Sequence, residues 1–478
     1  MKTPRAIQAL VVTLIISGCA HYPVNPPLAK SAVREGYRFS TVPPRTNSAQ
    51  MLTILTFSGG GMRASAVAYG VLEELARTQL GRGADQRRFL DDVDVISAVS
   101  GGSFTAAYYA LYGDRLFTDF ESKFLKRDIS GALMLQLLMP RNWARLAAPA
   151  YNRSDLAADY YDSRLFGHCT FADLMRDGSR PFLMINATDV GLGSHFEFTQ
   201  DQFDLIGSDL SKFHIARAVA ASSAFAPLLP PILLKNYANT NSSPDMASLF
   251  SNMATWDASG GKTNRSTEQR PDAELQQRPF IHLLDGGQAD NLALRGFLTP
   301  VIEHCSFWDT LGQLYLLPIR RVVVIIVDAH TDGEESLDDR ERTPGPLRLI
   351  RAASGVSVDL YSSDTLQLFR QNAQRAIHQI QSKRAEAAAK VSTGPNSAPV
   401  EAQLYLVELH LHNLSDQSDR RFFNSVPTTL SLPSKTVDRL RRISAGDLQK
   451  NEVFQQLLRD LNGPEEPATK PRRPSAPK

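Results

Sequence analysis

Cysteine is scarce in this chain: 3 of 478 residues, at positions 19, 169 and 305. Cys19 closes an N-terminal leader, so Cys169 and Cys305 alone make no disulfide framework. In an exported protein these two suit a bridge, yet cysteine is also among the residues most often buried as a plain apolar group, and both readings stand. An excess of one charge is lacking as well. Lys and Arg number 52 against 50 Asp and Glu, a net +2, which argues against a dedicated nucleic-acid surface. The N-terminal apolar run, Ala6 to Ile16, is too short to span a bilayer comfortably. Zinc-type spacing, a P-loop and a sustained heptad are absent too, so neither a metal nor another cofactor is expected. What the chain does have is apolar mass, 42% hydrophobic against 21% charged residues, enough for one large core.

The first residues read as an address rather than as fold. Lys2 and Arg5 form a positive n-region, Ala6 to Ile16 an apolar h-region, and Ile16-Ser17-Gly18-Cys19 a small-residue cleavage site. The arrangement resembles a bacterial lipoprotein signal, with residues 1–18 removed and Cys19 lipidated as the mature N-terminus. An ordinary secretory signal with an incidental cysteine is the alternative. Ala20 after Cys19 resembles the outer-membrane form of such signals, so the expected location is exported and lipid-anchored at the outer membrane. Residues 19–50, rich in Pro, Ser and Thr, read as a tether.

Beyond the tether, strand and helix patterns alternate. Strand candidates are Met51–Phe57, Val93–Val99, Phe182–Ala187, Phe280–Leu284, Val322–Val327 and Leu404–Leu411. Helical candidates are Ala64–Leu80, Ser103–Leu111, Asp155–Tyr161, Ile215–Phe225, Thr365–Lys390, Val437–Arg442 and Glu452–Leu461. Several strands are continuous rather than alternating apolar runs, as expected when both faces are covered. The rhythm predicts an α/β domain over residues 51–462 with a mostly parallel central sheet flanked by helices. Residues 238–270, dense in Asn, Ser, Thr and Gly, read as a long polar loop insertion, and residues 463–478, with repeated prolines, as a disordered tail. The stretch Ile129 to Ala150 carries Leu133, Met134, Leu135, Leu137, Leu138 and Met139, then Trp143 between Arg141 and Arg145. It reads as a core-packing helix pair in preference to a membrane-interface helix or a cap on a lipid pocket.

Three strand ends carry chemistry. Met51–Phe57 breaks into Ser58-Gly59-Gly60-Gly61-Met62-Arg63, a glycine triplet at a strand-to-helix turn whose bare N–H groups suit a negative oxygen. Val93–Val99 delivers Ser100 into Ser100-Gly101-Gly102, resembling an elbow that exposes a nucleophile. Phe280–Leu284 ends in Asp285-Gly286-Gly287, by itself a common turn signal. In a parallel α/β sheet, ligands gather at the carboxyl ends of strands, so three such ends together make a site. A phosphate loop is disfavoured, because Met62 and Arg63 stand where a lysine is usual and Asp285 adds a second negative group.

In order and setting these motifs resemble the patatin-like phospholipases, as do Asn186-Ala187-Thr188-Asp189 and Ala216-Arg217-Ala218-Val219-Ala220-Ala221-Ser222-Ser223-Ala224-Phe225. The resemblance covers Leu52 to about Leu294 well and Val322 to Leu461 more loosely. It implies a three-layer α/β fold and a phospholipase A type acyl hydrolase acting on phospholipids or other lipid esters. It further implies a Ser100–Asp285 dyad without histidine, and an oxyanion hole from the N–H groups of Gly59, Gly60 and Gly61, chiefly the last two. Gly101 adds a donor by analogy with other elbows. Arg63 is implied to clamp the glycine loop, and Gly102, Gly286 and Gly287 to complete the motifs. Ala98 and Ala64 stand where the family pattern has glycine. Burial at the end of an apolar strand is expected to raise the Asp285 pKa toward that of a usable base. Two other readings stand beside this one. The first is a Ser-His-Asp esterase of α/β-hydrolase type, with His330 of Asp328-Ala329-His330 as base and His282 and His304 as further candidates. The second is a membrane-tethered binding module without catalysis.

Overall fold

A computed structural model describes residues 25–29, 35–39, 51–81, 86–148, 151–176, 181–226, 228–238, 278–298, 319–331, 358, 361–375, 377–378, 381–382 and 402–463. The leader with Cys19, His304, Cys305, residues 464–478 and nearly all of the 238–270 insertion lie outside them. In chain order the main sheet comprises β1 (Met51–Phe57), β2 (Val95–Val99), β3 (Phe182–Asp189), β4 (Ser194–Glu197), β5 (Ile232–Lys235), β6 (Phe280–Asp285), β7 (Arg321–Asp328) and β8 (Gln403–His410). Helices α1 (Gly61–Arg77), α2 (Gly101–Tyr112), α3 (Ile129–Leu138), α4 (Pro140–Leu146), α5 (Arg153–Tyr161), α6 (Ile215–Ser222), α7 (Ser434–Lys450) and α8 (Glu452–Asn462) flank it.

The strand order is β8-β7-β1-β2-β3-β6-β5, with β4 also paired to β3. The five strands from β8 to β3 are parallel. Every residue of β1, β2 and β3 is buried, which is why those segments are largely apolar without alternating, whereas β8 alternates because one of its faces is partly open. Register brings Phe57 level with Ala98 and Val327, and Val327 level with Leu409. The turns that follow β1, β2, β7 and β8 therefore share one rim of the sheet.

Three expectations change here. β6 is antiparallel to β3, so Asp285 does not belong to the row of parallel carboxyl ends. It reaches the site because Val99 pairs with Asn186 and Asp285 with Ala187, so that β2 and β6 end one step apart along β3. Parts of the predicted tether are fold: Tyr37 is buried and stacks on Phe182, with ring centroids 4.6 Å apart, and its hydroxyl accepts the Leu183 N–H at 2.6 Å. Arg38 pairs with Asp201 and Asp204, and Asn25 Nδ2 donates to Ser208 Oγ at 2.9 Å. The Pro, Ser and Thr content masked these few anchors. Finally, α3 and α4 are not a core-packing pair, since Met134, Leu135, Leu138 and Trp143 are all more than half exposed. Ile129 joins the core and Ala132 and Leu133 pack against it, while the rest of the apolar face is uncovered among the described residues. No helix of the described residues is long and apolar enough to cross a membrane.

Candidate active site

Residues 58–61 leave β1 and turn into α1. Gly60 has φ 137° and Gly61 φ 60°, two consecutive left-handed conformations that a side chain resists. The outer wall of this turn is residues 428–429: the Met62 N–H donates to the Thr429 carbonyl at 2.7 Å, and a Cβ at Gly61 would overlap that carbonyl. Arg63 is buried and works as the clamp its position implied. Its Nε donates to the Ala329 carbonyl at 2.9 Å, Nη2 to Thr428 Oγ1 at 3.1 Å and Nη1 to the Val426 carbonyl. Ser58 Oγ accepts the Ala329 N–H at 2.8 Å, closing the same corner.

Ser100 leaves β2 with φ 50° and ψ −121°, a backbone conformation costing a non-glycine residue about 1–3 kcal/mol. Such an elbow swings the side chain clear of the strand. Strain of this kind survives only where neighbours hold it. The Ser100 N–H donates to Ser222 Oγ at 2.8 Å, and Ser222 Oγ donates to the Asn186 carbonyl at 2.6 Å. Asn186 Nδ2 donates in turn to Ser97 Oγ at 2.9 Å and the Ala98 carbonyl at 3.0 Å, while its Oδ1 lies 2.8 Å from His195 Nε2. Burial pushes His195 down to about 3, so the neutral ring donates this bond. Ser222→Ala would leave the Ser100 N–H and the Asn186 carbonyl without this partner. At about 1–3 kcal/mol per stranded buried group, the variant is expected to lose roughly 2–6 kcal/mol in denaturant unfolding.

Asp285 ends β6 beside this elbow. Ser100 Oγ donates to Asp285 Oδ2 at 2.7 Å, and the Gly287 N–H donates to Oδ1 at 2.9 Å. Thr188 Oγ1 donates to the Asp285 carbonyl at 2.8 Å, and the Gly286 N–H to the Ser222 carbonyl at 3.2 Å, so Ser222 serves both halves of the pair. Burial raises the Asp285 pKa to about 6, against the lowering effect of its two hydrogen bonds. Among the described residues no histidine bonds to either side chain. His330 packs against His412, with ring centroids 6.3 Å apart, and His282 projects outward from β6.

Gly101 places the elbow hard against the glycine turn, for a Cβ there would overlap the Gly61 peptide. Gly102 is equally confined by Phe57 and the Ser58 carbonyl. The N–H groups of Gly60, Gly61 and Gly101 have no acceptor among the described residues, leaving three donors beside Ser100. Gly59 differs from expectation. Its N–H points at Asn291, 3.2 Å from Oδ1 and 3.3 Å from the carbonyl oxygen, so it ties the glycine turn to the loop after Asp285 and is not an open donor. Ala98 and Ala64 are buried without displacing any of these groups.

A patatin-like phospholipase family model matches residues 55–298, just over half of the chain. The chain belongs to the patatin-like phospholipases. Two solved structures of human GIVD cytosolic phospholipase A2 are similar to this family member. One has TM-score 0.42 and 12% identity and covers 91% of this chain and 65% of that one. The other, in complex with methyl gamma-linolenyl fluorophosphonate, has TM-score 0.38 and 14% identity, with 90% and 62% covered. The chain thus spans less than two thirds of their length. No curated protein matches it. Within this patatin-like chain, Ser222, Asn186, Thr188 and Asn291 are the supporting residues to which the sequence by itself assigns no role. Their bonds to the elbow, to Asp285 and to the glycine turn cross the fold, from the 36 residues between Ser222 and Asn186 to the 232 between Gly59 and Asn291, and spacing carries no signal of that.

Proposed function

We propose that this chain is a lipid acyl hydrolase of phospholipase A type, with Ser100 as nucleophile and Asp285 as base. The observation that carries the reading is the 2.7 Å hydrogen bond from Ser100 Oγ to a buried Asp285 carboxylate that has no histidine partner among the described residues. In the first half-reaction Ser100 Oγ attacks the ester carbonyl carbon, its proton passes to Asp285, and the tetrahedral oxyanion accepts bonds from Gly60, Gly61 and Gly101. Collapse expels the alcohol, which takes the proton from Asp285, and leaves an acyl-enzyme. Water, giving its proton to Asp285, then releases the fatty acid and restores Ser100.

A lipid substrate is supported by the family and by the exposed apolar face of α3 and α4, since soluble surfaces rarely leave such clusters without a use. That face hangs on the same wall as the site. The Ser130 N–H of α3 donates to Ser431 Oγ at 2.9 Å, two residues from the Thr429 that backs the glycine turn. The reading is completed by export and lipidation at Cys19, which would hold the site near an outer-membrane surface. No observation favours the His330 triad or a non-catalytic module.

A fluorophosphonate probe tests the nucleophile. The parent protein is expected to be labelled on Ser100, and Ser100→Ala to show neither labelling nor release of fatty acid and lysophospholipid from phosphatidylcholine, followed by lipid mass spectrometry. Undiminished labelling or hydrolysis by the variant would remove Ser100 from the mechanism.

A further inference from the structure

The rim that carries the glycine turn continues past β1 to the ends of β7 and β8, where a second set of polar groups converges. Asp328 is the last residue of β7, His410 the last of β8, and His412 follows in a single helical turn. Asp328 Oδ1 accepts the His330 N–H at 2.9 Å, which turns Oδ2 toward the two imidazoles. Oδ2 lies 3.6 Å from His410 Nδ1 and 3.8 Å from His412 Nδ1, and all three ligand atoms fall within 4.8 Å of one another. Tetrahedral ligands at zinc distances stand about 3.3 Å apart, so closing around an ion takes shifts of only a few tenths of an ångström to about 1.5 Å.

Two further observations distinguish this cluster from a solvated group of charges. His412 Nδ1 is buried and has no hydrogen-bond partner among the described residues, although it points at a carboxylate. His410 is oriented from behind: its Nε2 lies 3.0 Å from Glu408 Oε2, and Glu408 is itself held by Arg370 Nε at 2.8 Å. A carboxylate behind a histidine, fixing its orientation, is the usual support of a metal-binding imidazole; without an ion His410 is a cation held between Glu408 and Asp328, and an ion at Nδ1 would take the place of that proton. The second cluster of this kind, Asp162 with His168 and His214, lacks such support: both imidazoles already bond to one Asp162 oxygen, at 2.7 and 3.1 Å, and His168 is largely exposed.

We propose that Asp328 Oδ2, His410 Nδ1 and His412 Nδ1 form a site for one divalent transition-metal ion of the zinc type, with Glu408 as a positioning residue for His410. Two nitrogens and one carboxylate oxygen suit such an ion in preference to calcium or magnesium, which take oxygen-rich cages. Zinc motifs in sequence are recognised by spacing within one segment, and here 82 residues separate Asp328 from His410. Only the parallel pairing of β7 with β8 joins them. The site connects to the glycine turn as well, because Ala329, next to Asp328, supplies the carbonyl for Arg63 and the N–H for Ser58. An ion would therefore stiffen that corner without touching Ser100.

The test uses the full chain stripped with a chelator and titrated with ZnCl2 by calorimetry, and with Co2+ by visible absorption. The parent and Ser100→Ala are expected to bind one equivalent that His412→Ala loses by at least a hundredfold in affinity, and to show cobalt ligand-field bands of an N/O site. His168→Ala should keep this equivalent, and Glu408→Gln should bind it about 10–100-fold more weakly. Zinc should also raise the unfolding midpoint of Ser100→Ala and not that of His412→Ala, a readout independent of hydrolysis. His412 Nδ1 gives up no hydrogen bond in that variant, which favours an intact fold, and the cobalt spectrum of the parent tests the site with no substitution at all. Absence of zinc uptake by the parent, absence of the cobalt bands, or uptake unchanged in His412→Ala would each overturn the site. The Ser100→Ala arm separates any such failure from failure of the hydrolase reading.

Discussion

Asp285→Asn is expected to cut ester hydrolysis about 10²–10⁴-fold and, at pH 7.5, to make the protein more stable than its parent. The amide keeps the size of the carboxyl and, with its oxygen toward the Gly287 N–H, turns its NH2 to donate to Ser100 Oγ, but it takes no proton from Ser100. General-base catalysis contributes about 10²–10⁴-fold, and a loss in that range is the expected cost in kcat. The stability gain follows from the raised pKa. Asp285 titrates at about 6 in the fold and at about 3.9 in an unfolded chain, so between these values the unfolded chain has released a proton that the folded one retains. Stability therefore falls as pH climbs from about 4 to 6 and is level above, by roughly 3 kcal/mol in all. Asparagine removes that penalty, so the variant should gain most above pH 6 and nothing near pH 4. Unfolding curves at pH 4.5 and 7.5 check the difference, and a variant less stable than the parent at pH 7.5 contradicts the burial argument. The same ionisation governs rate. In the parent, kcat/KM should rise through about pH 6 and then level off, whereas a flat profile from pH 5 to 7 would exclude Asp285 as base.

Gly101→Ala is the second substitution with a large expected effect, for a steric reason. Its methyl group would occupy the space of the Gly61 peptide, and both partners are backbone in tight turns, so neither side chain rearrangement nor rotamer change relieves the overlap. The two turns must part. Overpacking of this kind costs about 1–3 kcal/mol, and separating the oxyanion donors from Ser100 costs about 10²–10³-fold in rate. Gly446, in the middle of α7, has open space where a methyl group would stand, with nothing within 4 Å, and supplies the control: Gly446→Ala should be neutral or stabilising by up to about 1 kcal/mol. Equal hydrolysis by Gly101→Ala and the parent would show that the contact between the turns is not needed.

How far residue order discloses this molecule depends on the range over which a group acts. β1, β2, β3 and β7 are legible because burial on both faces leaves a largely apolar, non-alternating run in the chain itself. Ser100, Gly60 and Gly61 are legible because each turn needs small residues in immediate succession. Asp285 is legible as a residue and not as a geometry, since the antiparallel course of β6 depends on where its neighbours lie. Ser222 illustrates what stays hidden: it reads as one more small residue at the end of an Ala-rich helix, and only Asn186 and Ser100, 36 and 122 residues away, make its hydroxyl matter. The helices α3 and α4 depart from expectation for a related reason. Apolar content signals burial only when something is there to bury it.

The pairing of β1 bears on how this chain is born. β7 covers β1 along all seven residues, Met51 to Phe57, yet it lies beyond the end of the family match at residue 298 and about 270 residues after β1 in the chain. At a synthesis rate of roughly 5–20 residues per second, a nascent β1 waits some tens of seconds for that partner, its outer edge an apolar template for any other strand. The residues after 298 are therefore part of one folding unit with those before, and a fragment cut at the limit of the family match would leave β1, buried on both faces, as an open edge strand.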